Sequence, residues 1–138
     1  MKIAVAMSGG VDSSTAAILL KEEGHDIVGI TACLYDGGRS DDEASTIAAR
    51  FGFPLKVIDL RDEFEKLVMS PFCVEYLAGR TPNPCVGCDA KIKFGRLLEY
   101  AIESGCDTLA TGHYARIGRD GSGRRYIRAA ADMSRDQS

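Results

Sequence analysis

No stretch of the 138-residue sequence approaches the roughly 18 uninterrupted apolar residues that a membrane-spanning helix requires. Met1-Lys2 runs directly into a strand-like pattern, without the charged start and apolar run of a signal peptide. There is no internal repeat, no low-complexity tract and no second Cys-x-x-Cys pair. The five cysteines are odd in number, which argues against a disulfide framework in a chain without a secretion signal and leaves free or reactive thiols. Together these absences predict a cytoplasmic protein with no membrane partner. What remains, 45% hydrophobic and 27% charged, is the composition of one soluble α/β domain large enough to bury a core.

The net charge of -3 excludes uniform coating by nucleic acid but conceals an asymmetry. Residues 1–75 carry 7 basic and 13 acidic side chains, and residues 76–138 carry 10 basic and 7 acidic ones. Arg116, Arg119, Arg124, Arg125, Arg128 and Arg135 cluster near the end. Two readings stand side by side there, a local polyanion site and a solvated hairpin with scattered arginines.

Lys2 to Met7 reads as a buried strand, followed by a Ser-Gly-Gly turn and a helix from Asp12 to Glu23 that Gly24 closes. A strand over 26–32, a helix over 41–51 and a strand over 54–60 follow. This β-α alternation predicts a parallel twisted sheet with helices on both faces. A helix over 61–77 precedes GRTPNPC, where two prolines hold the chain extended. Then come a helix over 85–103, a strand over 106–111 and a hairpin of 114–117 with 125–129. Cys33, Cys73 and Cys106 fall in apolar patterns, the setting of buried structural thiols. The last residues stop without a terminating feature, so the domain reads as incomplete at its C-terminal end.

Ala6, Met7, Ser8, Gly9, Gly10, Val11, Asp12 and Ser13 lie between a strand and the first turn of a helix. Two glycines let the backbone approach a phosphate, free N–H groups point at it, and the helix dipole favours negative charge. Ser8, Ser13 and Ser14 are candidate hydroxyl donors. No Lys precedes the Ser as in a Walker A loop, and no GxGxxG is present. SGGVDSS resembles the PP-loop of the N-type ATP pyrophosphatases, a group that includes GMP synthetase and argininosuccinate synthetase. That resemblance implies an adenine nucleotide α-hydrolase-like, Rossmann-like fold over 1–138. It also implies a loop that grips the pyrophosphate end of ATP and leaves AMP on an acceptor.

GRTPNPCVGCDAKIKFGRLLEYA, LATGHYARI and RDQS then resemble, in order, the signatures of the tRNA 2-thiouridylases. The resemblance implies an ATP-dependent sulfurtransferase acting on C2 of the wobble uridine of tRNA, with a sulfur-donor protein as partner. It makes Cys88 the first catalytic cysteine; a second, which carries the persulfide, lies beyond the region covered, so either Cys85 substitutes for it or the chain does not complete the reaction alone. It sets Ala32 and Gly112 against ATP, Asn83, Pro84 and Cys85 near the target base, and Arg135, Asp136 and Gln137 on tRNA. Mg²⁺ is expected with the clustered phosphate charge.

Two positions depart from the family pattern. Ala32 stands where Met is usual and Cys85 where many members carry Asp, and the loop Cys33 to Ser40 is short. The resulting Cys85-x-x-Cys88 pair is open to two readings: a redox couple resolving a persulfide, or two ligands of zinc or an iron–sulfur cluster. Placed at a helix start near Arg80, Lys91 and Lys93, Cys88 is expected to be enriched in thiolate. His113, after a strand end, is placed at a ligand edge. Two other readings keep less of the family chemistry: an ATP pyrophosphatase with a non-tRNA acceptor, and a non-catalytic nucleotide- or metal-binding fragment.

Overall fold

The computed structural model describes residues 1–36 and 40–138; the middle of the Cys33–Ser40 loop lies outside the described residues. Four parallel strands, β1 (Lys2–Ala6), β2 (Asp26–Cys33), β3 (Leu55–Asp59) and β4 (Thr108–Ala110), form one sheet in the order β3-β2-β1-β4. Side chains alternate across the pleat, so each buried strand feeds both faces. Ala4, Val28, Ile30 and Ile58 point to one core, and Ile3, Val5, Met7 and Ile27 to the other. Helices α1 (Val11–Glu22) and α2 (Ser40–Phe51) accompany the second core through Ala17, Ala44 and Ala48. The sequence therefore foretold the layer order correctly: a parallel sheet with helices on both faces.

The first core is closed by two longer helical stretches, α3 (residues 61–77) and α4 (residues 84–103). Each changes to a wider π-helical winding in its middle, Glu65–Met69 in α3 and Asp89–Leu97 in α4. In α4 the winding turns Ile92 and Leu97 into the core, 1% and 4% exposed. Gly95 sits where a Cβ would come 3.2 Å from the Ala90 carbonyl. Between the helices, residues 80–83 belong to no helix or strand, and Asn83 is extended, as the proline after it favours. Pro84 opens α4 where its missing N–H costs nothing, and Asn83 Oδ1 caps it by accepting from Cys85 N at 3.0 Å.

A separate two-stranded antiparallel hairpin, β5 (Arg116–Arg119) with β6 (Arg125–Arg128), projects from the body, and a short 3₁₀ turn, Met133–Arg135, follows. All five cysteines are free, but only Cys106 is buried; Cys33 is half-buried and Cys73 is exposed on α3. The apolar pattern around Cys73 misled because α3 leaves Val74, Tyr76 and Leu77 exposed as well. Among the described residues no helix is long and apolar enough to cross a membrane.

Ile30, fully buried in the middle of β2, and Ile127, 69% exposed in the hairpin, give a direct test of this division. Urea unfolding of Ile30→Ala is expected to show a loss of about 2–5 kcal/mol, and Ile127→Ala almost none.

Candidate functional site

The loop between β1 and α1 is fixed from within. Met7 N donates to Ile30 O at 2.7 Å, tying the end of β1 to β2. Gly9 has φ +77, a conformation that other residues adopt only with strain. Gly10 needs no such freedom: its φ is -77, and an added Cβ would make only an ordinary contact with Ser8 Oγ. Ser13 Oγ accepts from Ser8 N and donates to Gly10 O, both at 3.2 Å, and Ser14 Oγ donates to Gly10 O at 2.7 Å. Both serines are buried. In this structure both hydroxyls hold the loop's own carbonyl, while Ser13 also lines the cavity described below.

The end of β4 meets this loop at Gly112. A Cβ there would fall 2.7 Å from Ser13 N and 2.8 Å from the Asp12 carbonyl carbon. The glycine is therefore required by backbone packed on backbone, a reason internal to the fold and separate from any nucleotide.

A cavity of about 390 Å³ opens at the carboxyl ends of β1, β2 and β4. β1 lies between β2 and β4, so this is where the strand order reverses, the place open parallel sheets offer a ligand. Ala6, Met7, Ser8, Asp12 and Ser13 line one side, Ile30 to Tyr35 with Ala32 among them a second, and Thr111, Gly112 and His113 a third. Ile92, Lys93 and Leu97 of α4 and Gln137 complete it. Gly9, Gly10, Val11, Asn83, Pro84, Cys85, Cys88, Arg135 and Asp136 are not in this lining. The volume suits a nucleotide-sized ligand.

Cys88 lies on α4 one turn before Ile92, and its thiol is pushed up from its usual range. Burial is the main cause; Lys93 works against it, and Asp89 and Cys85 add to it. This runs against the expected thiolate enrichment: burial outweighs the pull of Lys93, and the cations counted on also have other partners. Arg80 Nη2 donates to Glu75 Oε1 at 2.8 Å, Lys91 Nζ donates to Leu67 O at 3.4 Å, and Lys93 Nζ sits 2.6 Å from Asp89 Oδ1. Nor is Cys88 at the helix start; that place belongs to Cys85, which is exposed.

Asp89 Oδ1 is buried and has no well-aligned hydrogen bond, so its contact with Lys93 is an ion pair alone. His113 Nε2 stands 3.9 Å from the same oxygen, and His113 Nδ1 is 2.8 Å from Thr111 Oγ1. Asp89 and Lys93 as a pair were missed in the sequence, where the spacing of four residues was the available signal.

The RDQS segment folds back onto the site. Tyr114 and Gln137 exchange two bonds, Gln137 N to Tyr114 O at 2.9 Å and Tyr114 N to Gln137 Oε1 at 3.0 Å. Tyr114 Oη donates to Asp12 Oδ1 at 2.7 Å and accepts from Arg135 Nη1 at 2.9 Å. The Arg135 guanidinium also lies 5.3 Å from the centre of the Tyr114 ring. Asp136 accepts from Ala130 N at 2.8 Å, the leading reason its carboxyl is held below the usual range. Tyr114, quoted in the GHY motif without a role, thus links tail and phosphate loop. Among the described residues no three His, Cys, Asp or Glu side chains are grouped to hold a metal, and Cys85 with Cys88 supplies only two ligands. These residues do not fit a zinc or iron–sulfur site by themselves.

The profile of the family described as tRNA methyl transferase HUP domain matches residues 1–138. The tRNA-specific 2-thiouridylase MnmA of Pelobacter propionicus is 49% identical over 143 aligned residues, covering 100% of this chain and 40% of that protein. The chain thus spans about two fifths of the length of that relative. Among solved structures, a predicted subunit of tRNA methyltransferase from Methanocaldococcus jannaschii aligns with TM-score 0.57 and 28% identity, over 90% of this chain and 57% of the other. NMN synthetase from Francisella tularensis aligns with TM-score 0.54 and 14% identity, over 78% and 43%, a likeness of fold alone.

Two measurements check this geometry. Alkylation by iodoacetamide with mass mapping is expected to label Cys85 before Cys88 at neutral pH, the gap narrowing as pH rises toward the elevated Cys88 range. Equal or faster labelling of Cys88 at neutral pH would remove the case for burial control. Gly112→Ala is expected to cost about 2 kcal/mol or more in thermal unfolding and to weaken ATP binding, because the loop must move away from the new Cβ.

Proposed function

This chain belongs to the tRNA methyl transferase HUP-domain family, and from that premise we propose that residues 1–138 act as the ATP pyrophosphatase domain of a tRNA 2-thiouridylase. The observation that carries the reading is a single cavity at the strand-order reversal, with a PP-loop on one wall and Lys93, on the helix that carries Cys88, on another. The name of the MnmA relative supplies the substrate class, tRNA, and the setting is the cytoplasm, where thiols stay reduced.

ATP, when bound, supplies an AMP group to the C2 oxygen of uridine with loss of pyrophosphate, giving a carbon that otherwise has no good leaving group a group that sulfur displaces. On this reading the amide groups of Gly9, Val11 and Asp12 serve the pyrophosphate, and Ala32, which leaves more room than the usual Met, faces the adenine side. Asp12 is the carboxylate beside the phosphates for Mg²⁺.

Cys85, exposed and standing in for a second cysteine, receives the sulfane sulfur of a donor protein's persulfide, and the donor leaves as a thiol. The outer sulfur attacks C2 and AMP departs. Cys88 then attacks the Cys85 sulfur, freeing the thiocarbonyl and leaving a Cys85–Cys88 disulfide that a cellular thiol reduces. The two cysteines lie three residues apart on one helical turn, which supports this exchange. The raised pKa of Cys88 keeps the thiol protonated at rest, and Lys93, once released from Asp89, is the cation placed to stabilise the thiolate.

Pyrophosphate release from ATP with and without unmodified tRNA tests the reading. The expected result is release that depends on tRNA and survives Cys88→Ala, while thiolation falls at least a thousandfold in that variant. Absence of tRNA-dependent release from the intact protein would reject it, and thiolation of a small acceptor instead would move the function to another substrate.

A further inference from the structure

The β5–β6 hairpin has no packing reason for its sequence. Every residue of β6 is exposed, as are three of the four in β5, and a two-stranded ribbon without a buried face is marginal in water. Its register sets Arg116 directly against Arg128 and Arg119 directly against Arg125. Like charges in direct cross-strand pairs destabilise a ribbon, and this one contains two such pairs. With Arg124 the hairpin holds five positive charges against Asp120 alone, a net of +4 within a chain of net charge -3.

Nothing among the described residues neutralises these arginines. None of the five takes part in an ion pair. Asp120 is consumed by the turn, accepting from Ser122 N and Arg124 N at 2.9 Å and from Ser122 Oγ at 2.6 Å. Arg116 Nε donates only to a backbone carbonyl, Ala129 O, at 2.8 Å.

One face of the ribbon is also shaped. Arg116, Gly118, Tyr126 and Arg128 share it by alternation. A Cβ on Gly118 would lie 2.7 Å from both Arg128 Cδ and Tyr126 Cζ, so the arginine stem and the tyrosine ring lie across the bare glycine backbone. The result is an aromatic ring, 47% exposed, on the same ribbon face as two arginines, Arg116 and Arg128. That combination, a flat π-face and cations on one surface, suits a stacked base and its phosphates. The hairpin also springs from the lip of the cavity. Its first strand follows the Tyr114 that bonds Gln137, and its second leads into the Ala130 that bonds Asp136.

We propose that the β5–β6 hairpin is an RNA-binding arm, its Arg116, Tyr126 and Arg128 face gripping the phosphodiester backbone and stacking a base of the RNA presented to the cavity. The proposal rests on the reading of RNA as substrate and assigns that substrate a second surface outside the nucleotide cavity. RNA is favoured over a lipid surface because Arg116 and Arg128 share their face with a ring that can stack, while the exposed Ile117 and Ile127 lie on the other face beside Arg119 and Arg125.

The test is the affinity of the intact protein for a fluorescent, unmodified tRNA transcript across a salt series. Arg116→Gln with Arg128→Gln is expected to weaken binding several-fold and to reduce the salt slope by about two, one for each phosphate that no longer meets a cation. Arg116→Lys with Arg128→Lys is expected to keep the slope, which separates charge from any loss of fold. Tyr126→Leu is expected to weaken binding with the slope unchanged. ATP affinity stays the same in all three. Unchanged affinity and slope in the Gln pair overturn the proposal, as does a loss seen only with phosphatidylserine vesicles. Failure of tRNA-dependent pyrophosphate release alongside the expected slope change would reject the thiolase reading and leave the arm standing.

Discussion

The architecture turns on one close approach. At Gly112 the chain leaving β4 runs so near the first turn of α1 that a single methyl group would collide with the Asp12 and Ser13 backbone. This contact sets the distance between the outermost strand on that side and the phosphate loop. Everything after it, His113 against Asp89, Tyr114 against Asp12 and the RDQS segment against Tyr114, is placed relative to the loop through that one spacing. The hydroxyls of Ser13 and Ser14 complete the arrangement from the other side by holding the Gly10 carbonyl. The loop is thus held in shape from within, its Ser8 and Gly10 amides donating to the Ser13 and Ser8 hydroxyls.

The electrostatics around Cys88 show how misleading a count of nearby charges is. Three cations stand close in sequence, but of these Lys93 is the one that acts on the thiol, and Asp89 and Cys85 act against it. Burial then decides the direction of the shift. A protonated, half-buried thiol does not oxidise readily. Control of its reactivity passes to whatever parts Lys93 from Asp89, an oxygen whose only close partner is imperfectly aligned.

Much of this was legible in the residues. The 2–7, 26–32 and 54–60 strands and the helices between them followed from hydrophobic period and glycine stops, and the phosphate loop from SGG at a strand–helix junction. The start of α4 followed from Asn83-Pro84, where a cap and a fixed φ coincide. Other features were hidden for physical reasons. The π-helical windings of α3 and α4 depend on what their faces pack against, which local sequence does not encode. The exposure of Cys73 arises because α3 buries little of its second half. The role of Tyr114 joins residues far apart along the chain, and only the fold brings them together.

That separation has a kinetic meaning. Asp12 and Tyr114 are 102 residues apart, and Lys2 N bonds the Asp107 carboxylate across 105. Contacts of such span are slow to close, since most of the chain must be ordered before either forms. During synthesis the loop that carries Asp12 leaves the ribosome 102 residues before Tyr114, its partner at the cavity. The nascent chain therefore carries a glycine-rich loop whose contacts with Gly112 and Tyr114 are absent until β4 docks.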